Sequence, residues 1–361
     1  MGSAPCYLHG RKTAVVAASS ESRAEQAGSH APERRAAGRV HVAIGPVCNN
    51  NCLFCMEEDR AQRERINGAL TTEDVRSILE SGRGAEEVCF TSGEPTLVEE
   101  LPRYLGWAKE VGYPKVSVTT NGRRLAYEPY CAELVRAGMN LVYVSIHGHD
   151  TRLHDALVRT PGAFEQAHAG LVNAVRLRDR GLRVHTSTVV AKQNLPHLSD
   201  IYRFLRGRGA DQVVFNALQA NGRAHTHFER VFPRYQEIVA AFVQLLEGES
   251  EPEPPVFLVD VPLCMTESIP ALHRGWVEEY VHHEVVAAVG NMPTPPEIAP
   301  RLVERSRAQL DDARRSKRTE CGQCRYDYAC RGVWTNYVTR YGWNEFVPVP
   351  PTGGAAAGRS T

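Results

Sequence analysis

Apolar and polar positions follow two rhythms between about residue 40 and residue 215. Short apolar runs at Val40–Ile44 (VHVAI), Glu87–Phe90, Lys115–Thr119, Leu141–Ile146 (LVYVSI), Arg183–Val190 and Gln212–Phe215 read as strands. Between them apolar residues recur at helical spacing. Thr71 precedes Glu73 and Asp74, a hydroxyl cap followed by acids in the first turn. Val75, Ile78 and Leu79 then form an apolar face, and Gly82 ends the helix. Further helices are predicted near Leu97–Val111, around Tyr127–Ala137, from Ala163 (Phe164, Ala167, Leu171 and Val175 share a face) and over His197–Leu205. Roughly six β–α units result, which implies parallel strands with right-handed crossovers. Periodicity alone leaves a doubly wound sheet and an incomplete barrel both open.

The rhythm stops near residue 249, where a Glu/Pro-rich stretch begins. The organisation expected is a disordered leader over 1–38, an α/β domain over 39–248, an extension over 249–347 and a disordered tail over 348–361. No solenoid-period repeat is apparent. Lys+Arg and Asp+Glu number 42 each, so the formal net charge is zero. That balance argues against a general nucleic-acid binder. No apolar run approaches the ~20 residues of a membrane span, and no signal-peptide pattern is present. The expectation is a cytoplasmic protein with neither nucleic acid nor membrane as partner.

Ten cysteines change the picture, because six of them fall in two tight clusters. Clustered cysteines in a reducing compartment point to metal or redox chemistry. Cys48, Cys52 and Cys55 directly follow the first strand. Zinc would want a fourth ligand close by, and none is near; His41 is poorly placed. Three thiolates suit an iron–sulfur cubane with one iron left open. The pattern C-x3-C-x-Φ-C, with Phe54 as the aromatic residue, resembles the signature of the radical S-adenosylmethionine (radical SAM) superfamily. The resemblance implies an incomplete (β/α)6 TIM-like barrel. It also implies an open iron that grips the methionine part of S-adenosylmethionine, and reductive cleavage to a 5′-deoxyadenosyl radical that abstracts substrate hydrogen.

Four further segments carry the resemblance. Thr91-Ser92-Gly93-Glu94-Pro95 is similar to the family's Gly-Gly-Glu-Pro, with Ser92 in place of the first glycine; the resemblance assigns Glu94 to the methionine amino group. Thr120-Asn121-Gly122 is similar to its T-N-G segment. Ser145, ending the fourth strand, matches a position that contacts ribose or carboxylate. His154-Asp155 through Arg159 to Phe164 looks like H-D-x-x-x-R-x-x-G-x-F, whose arginine pairs with the methionine carboxylate. Asn194, after the fifth strand, and Gly222-Arg223-Ala224, after the sixth, are weaker matches. His147, His149, His154 and His185 read as surface or satisfied histidines, with catalytic acid or base roles as the alternative.

The second cluster is Cys321, Cys324 and Cys330, with Cys264 upstream. It resembles the SPASM and Twitch extensions, which implies one auxiliary [4Fe–4S] cluster beside the one that binds S-adenosylmethionine. Cys264 is expected as the fourth ligand, or else as a hydrogen donor to a product radical; zinc at these four cysteines stays open. Cys6 lies in the leader, and Cys89 and Cys131 read as buried small residues. Residues 301–340 hold ten Lys/Arg and five Asp/Glu, and the aromatics around them read as a small core packed about metal. The expected activity is oxidation, epimerisation or cross-linking of a small polar metabolite or sugar in natural-product biosynthesis. A ribosomally made peptide is the alternative substrate. It is less favoured, since 38 leading residues are short for a peptide-recognition domain. A flavodoxin- or ferredoxin-type donor would supply the electron. The rival from another class is a non-catalytic electron carrier.

Overall fold

Seven strands form one sheet in chain order, every neighbouring pair parallel: β1 (Arg39–Ala43), β2 (Glu87–Thr91), β3 (Lys115–Thr120), β4 (Leu141–Ser145), β5 (Arg183–Val190), β6 (Gln212–Ala217) and β7 (Val256–Val259). The computed structural model describes residues 38–57, 70–249, 252–271 and 314–351, with Ala61, Glu64, Asn67, Gly68 and Arg274. Cys6, and the expected leader and tail apart from residues 38 and 348–351, lie outside them. The first six strands stand where the apolar runs put them. The seventh was not expected: it is four residues long and follows Pro252, Pro254 and Pro255, which read as a break. It pairs with β6 through Val213↔Val256 to Asn216↔Val259. Among the described residues β7 and β1 do not pair, so the sheet is open.

Alternation along the strands separates two faces. Val42, Val88, Phe90, Val118, Val142, Val144, Val184 and Phe215 are fully buried. They pack with the helices that follow the strands, and each contributes about 1.5–3 kcal/mol by leaving water. These helices are α1 (Thr72–Ser81), α2 (Leu101–Val111), α3 (Glu128–Ala137), α4 (Thr151–Val158), α5 (Ala163–Arg176) and α6 (Leu198–Gly207). Half-buried positions of the other set include His41, Thr91, Thr119, Ser145, Ser187 and Asn216, so the second face is polar.

Helix α1 starts on the predicted cap: Asp74 N–H donates to Thr71 Oγ1 (3.1 Å) and Thr71 N–H to Asp74 Oδ2 (2.8 Å). This reciprocal pair satisfies two orphan donors. Gly82 ends the helix for a reason other than a left-handed turn, because its φ is −87°. A Cβ there would stand 2.3 Å from Tyr113 Oη and 2.5 Å from Val40 Cγ2.

Beyond β6 come α7 (Gly222–Thr226), α8 (Phe228–Val231) and α9 (Tyr235–Gly248), then β7. The C-terminal segment adds a small antiparallel pair, β8 (Arg315–Ser316) with β9 (Val333–Trp334), and α10 (Thr335–Tyr341). Its aromatics are core: Tyr337 lies 4.6 Å from Tyr235 and 5.2 Å from Phe232, ring centre to ring centre. Tyr328 is the exception and is exposed. Polar ties complete the join. Arg315 Nη2 donates to Asp260 Oδ1 (2.8 Å), Gln219 Nε2 to Asp260 Oδ2 (2.9 Å), and Asn336 Nδ2 to Ala220 O (2.8 Å).

Candidate functional site

The first cysteine loop leaves β1 at the carboxyl edge of the sheet, where open α/β sheets bind ligands. Neighbouring loops hold it on every side. Gly45 and Gly93 interlock: a Cβ on Gly45 would fall 2.1 Å from Ser92 O, and one on Gly93 would fall 2.3 Å from Gly45 O. Glu94 N–H donates to Val47 O (2.9 Å). On another side the loop borrows the end of α4, through Asn51 N–H to Val158 O and Leu53 N–H to Leu157 O, both 2.9 Å.

Two arginines clasp the loop, and each follows an Asn-Gly pair. Arg123, after β3, donates from Nη1 to Asn49 O and to Asn50 Oδ1 (3.1 Å). Arg223, after β6, donates from Nη1 to Asn51 O (3.0 Å), to Asn51 Oδ1 and to Cys52 O (3.1 Å), while its N–H reaches Cys55 O (2.8 Å). Gly122 and Gly222 have φ of +76° and +55°, so each tripeptide turns through a backbone shape that glycine adopts at least cost. Sequence reading quoted Arg223 without this role and passed over Arg123. The repeated Asn-Gly-Arg at two strand ends was the available signal.

The other expected residues divide into two kinds. Glu94 is 1% exposed, and its carboxylate accepts four hydrogen bonds: from Thr96 N–H and Oγ1, Thr120 Oγ1 and Asn121 N–H. Burial raises its pKa against those four bonds, which lower it. Glu94 thus ties the β2 loop to the β3 loop. Asn194 was expected at the cofactor. Its side chain is fully buried, accepting from Ala191 N–H (2.7 Å) and donating to His147 O and Val189 O (2.9 Å each).

Asp155 likewise binds backbone, taking Gly162 N–H (2.6 Å) and Phe164 N–H (2.8 Å). His154 Nδ1 accepts from His147 N–H (3.1 Å), while its buried Nε2 has no hydrogen-bond partner. Asn121 donates to Asn49 Oδ1 (2.6 Å) and so faces the cysteine loop. Ser145 ends β4 opposite Ser187, whose Oγ accepts from Asn216 Nδ2 (2.9 Å). Arg159 is exposed, with φ +53°, directly after the residues that hold Asn51 and Leu53. A left-handed conformation costs a non-glycine residue of order 1–2 kcal/mol.

The two cysteine groups fit iron–sulfur clusters. Burial, then the nearby thiols of Cys55 and Cys48, push the Cys52 thiol far above its ordinary range. Cys264 is pushed up to about 12 by burial and then by Cys330, Cys324 and Cys321, so all four of those cysteines share one locality. Thiolates gathered this way need a bound cationic centre to stay deprotonated. Backbone N–H groups already point at sulfur: Asn50 at Cys48 (3.4 Å), Gly332 at Cys330 (3.4 Å) and Val349 at Cys324 (3.3 Å). Such bonds are among the features that tune iron–sulfur centres. Among the described residues, the donors drawn within 4.8 Å of one another are His149, His197 and Asp200. Cys89 and Cys131 are buried away from both groups, in β2 and α3.

Residues 42–205 match the Radical SAM superfamily. The chain carries a radical SAM domain. That domain's characteristic cofactors are a [4Fe–4S] cluster and S-adenosylmethionine, and the cysteine-rich C-terminal segment suits an auxiliary cluster. Curated relatives include a probable GTP 3′,8-cyclase of Sulfurisphaera tokodaii, 27% identical over 59% of this chain and 64% of that protein. An AdoMet-dependent heme synthase of Oleidesulfovibrio alaskensis is 28% identical over 49% of this chain and 44% of its own length. The chain thus spans about half to two thirds of the relatives it matches.

Among solved structures, Streptococcus suis SuiB bound to S-adenosylmethionine superposes with a TM-score of 0.55 at 15% identity, covering 88% of this chain and 76% of that one. Native anSMEcpe with AdoMet and the Cp18Cys peptide gives 0.56 at 13% identity, covering 86% and 95%. They share the fold, a partial TIM barrel, with seven parallel strands here where six were expected. The radical SAM match ends before Arg223 and all four C-terminal cysteines. No described helix is long and apolar enough to cross a membrane.

Proposed function

We propose that this chain is a two-cluster radical SAM enzyme that removes hydrogen from a C–H bond of a polar substrate. The observation that carries the reading is the convergence of seven cysteines into two groups. One is clasped by Arg123 and Arg223; the other gathers Cys264 with Cys321, Cys324 and Cys330. Cys48, Cys52 and Cys55 would hold the first [4Fe–4S] cluster. When bound, that cluster and S-adenosylmethionine supply the oxidising carbon radical. The chain's own residues do the positioning: Asn121 and Glu94 fix the loops around the cofactor, and Ser145 and Arg159 present hydroxyl and guanidinium to its polar groups. Cys264 completes the auxiliary cluster, and as a ligand it keeps no thiol hydrogen to donate.

A polar substrate is favoured by the polar side chains of Ser187 in β5 and Asn216 in β6, and of Gln219 and Asp260 just after β6 and β7. This suits a small metabolite such as a sugar. A peptide substrate is the second reading, because SuiB bound to its precursor peptide SuiA covers 84% of this chain. A flavodoxin- or ferredoxin-type protein would deliver the electron. The test is anaerobic reconstitution, then incubation with S-adenosylmethionine and dithionite. We expect 5′-deoxyadenosine well above a Cys52→Ala control, and about eight irons per chain falling to about four in Cys324→Ala. Product no higher than that control rejects an enzymatic role and leaves the electron-carrier reading.

A further inference from the structure

Two loops on the same sheet edge bring His149, His197 and Asp200 together. His149 lies between β4 and the start of α4; His197 and Asp200 lie at the start of α6. One ligand atom from each lies within 4.8 Å of the others, and the imidazole rings are 5.2 Å apart. We infer that these three residues bind one divalent transition-metal ion of the zinc class, as a mononuclear site distinct from the iron–sulfur centres.

The donor set selects the ion. Two imidazoles with one carboxylate suit zinc and its neighbours and disfavour calcium or magnesium, which want oxygen. A second observation orients His149. Its Nδ1 is buried and has no hydrogen-bond partner, while its Nε2 lies 3.7 Å from Asp150 Oδ2. A ligating histidine commonly has its far nitrogen held by a carboxylate, and Asp150 stands where that partner belongs. Nδ1 is then the atom offered to metal.

His197 Nδ1 stands 3.5 Å from Asp200 Oδ2, so these two need only a small rearrangement to share an ion. The competing cation is Arg203, 3.9 Å from Asp200 Oδ1; it is engaged more closely by Glu249 at 3.0 Å. The side chains are 28%, 43% and 51% exposed, free enough to close from 4.8 Å onto an ion and to leave a coordination position facing solvent.

The inference does not rest on the radical chemistry, and its test reads metal content. Full-length protein with both clusters loaded is dialysed against micromolar zinc, and iron and zinc are counted separately by mass spectrometry. Wild type is expected to retain about one zinc per chain with iron unchanged. His149→Ala and His197→Gln should each weaken retention at least about tenfold, and Asp150→Ala should do so by about 10–100-fold because His149 loses the carboxylate beside its Nε2. Thermal melts of the variants, all at partly exposed positions, check folding. Wild type that retains no zinc beyond background, or variants that retain as much as wild type, overturn the inference.

Discussion

Arg223 holds two carbonyls and an amide oxygen of the first cysteine loop from one guanidinium nitrogen, Nη1. Replacing Arg223 by Ala is expected to lower iron retention at the first site and cofactor cleavage by about 10–100-fold, with the auxiliary iron preserved. Separate iron counts in a Cys324→Ala background check this. Histidines make a pH prediction. Burial lowers His154 to about 4 and His185 to about 3. The unfolded chain, titrating near 6.5, therefore binds more protons than the folded one between those values, and stability rises with pH across that window. Each histidine should remove about 1.4 kcal/mol per pH unit once the pH is below 6.5. Urea midpoints at pH 7.5 and 5.5 measure it, and His154→Phe should flatten the dependence. Sequence found the cysteines because spacing alone marks them. It does not say which way the Asn194 side chain turns: this amide points inward to three backbone groups.

Loops, more than strands, decide whether the site exists. Gly222 turns with φ +55° against the end of the cysteine loop, and a Cβ there would stand 2.4 Å from Met56 O and 2.6 Å from Cys55 O. Gly222→Ala is expected to abolish iron binding at the first site while circular dichroism stays native, because the six inner β–α units do not depend on that turn. Thr71→Ala should cost about 1 kcal/mol through the cap of α1 and leave the iron untouched; a melt and an iron count distinguish the two. Six strands were legible because each is an apolar run flanked by turn residues. The seventh was hidden, since three prolines precede four residues that pair along one edge only. Helix α2 begins at Leu101, later than its apolar pattern suggests, because Pro95–Leu97 forms a separate turn capped by Glu94.

Among the described residues, contacts between distant segments tie the C-terminal segment and the first cysteine loop to the sheet. Arg315, with a side chain 5% exposed, joins the C-terminal segment to Asp260 at the end of β7 and lies 4.0 Å over the Trp334 ring. Breaking a buried ion pair from one side typically costs 3–5 kcal/mol. Arg315→Met should loosen the C-terminal segment, seen as faster proteolysis there and loss of auxiliary iron, with the first cluster retained. The bond between Arg223 and Asn51 spans 172 positions of sequence. At about 5–20 residues per second, a ribosome needs roughly ten to thirty seconds to make that stretch. During this interval the nascent cysteines lack their clasp. Iron delivery to this loop is therefore expected only once residue 223 has been made, when a carrier meets a loop already shaped to receive its cargo.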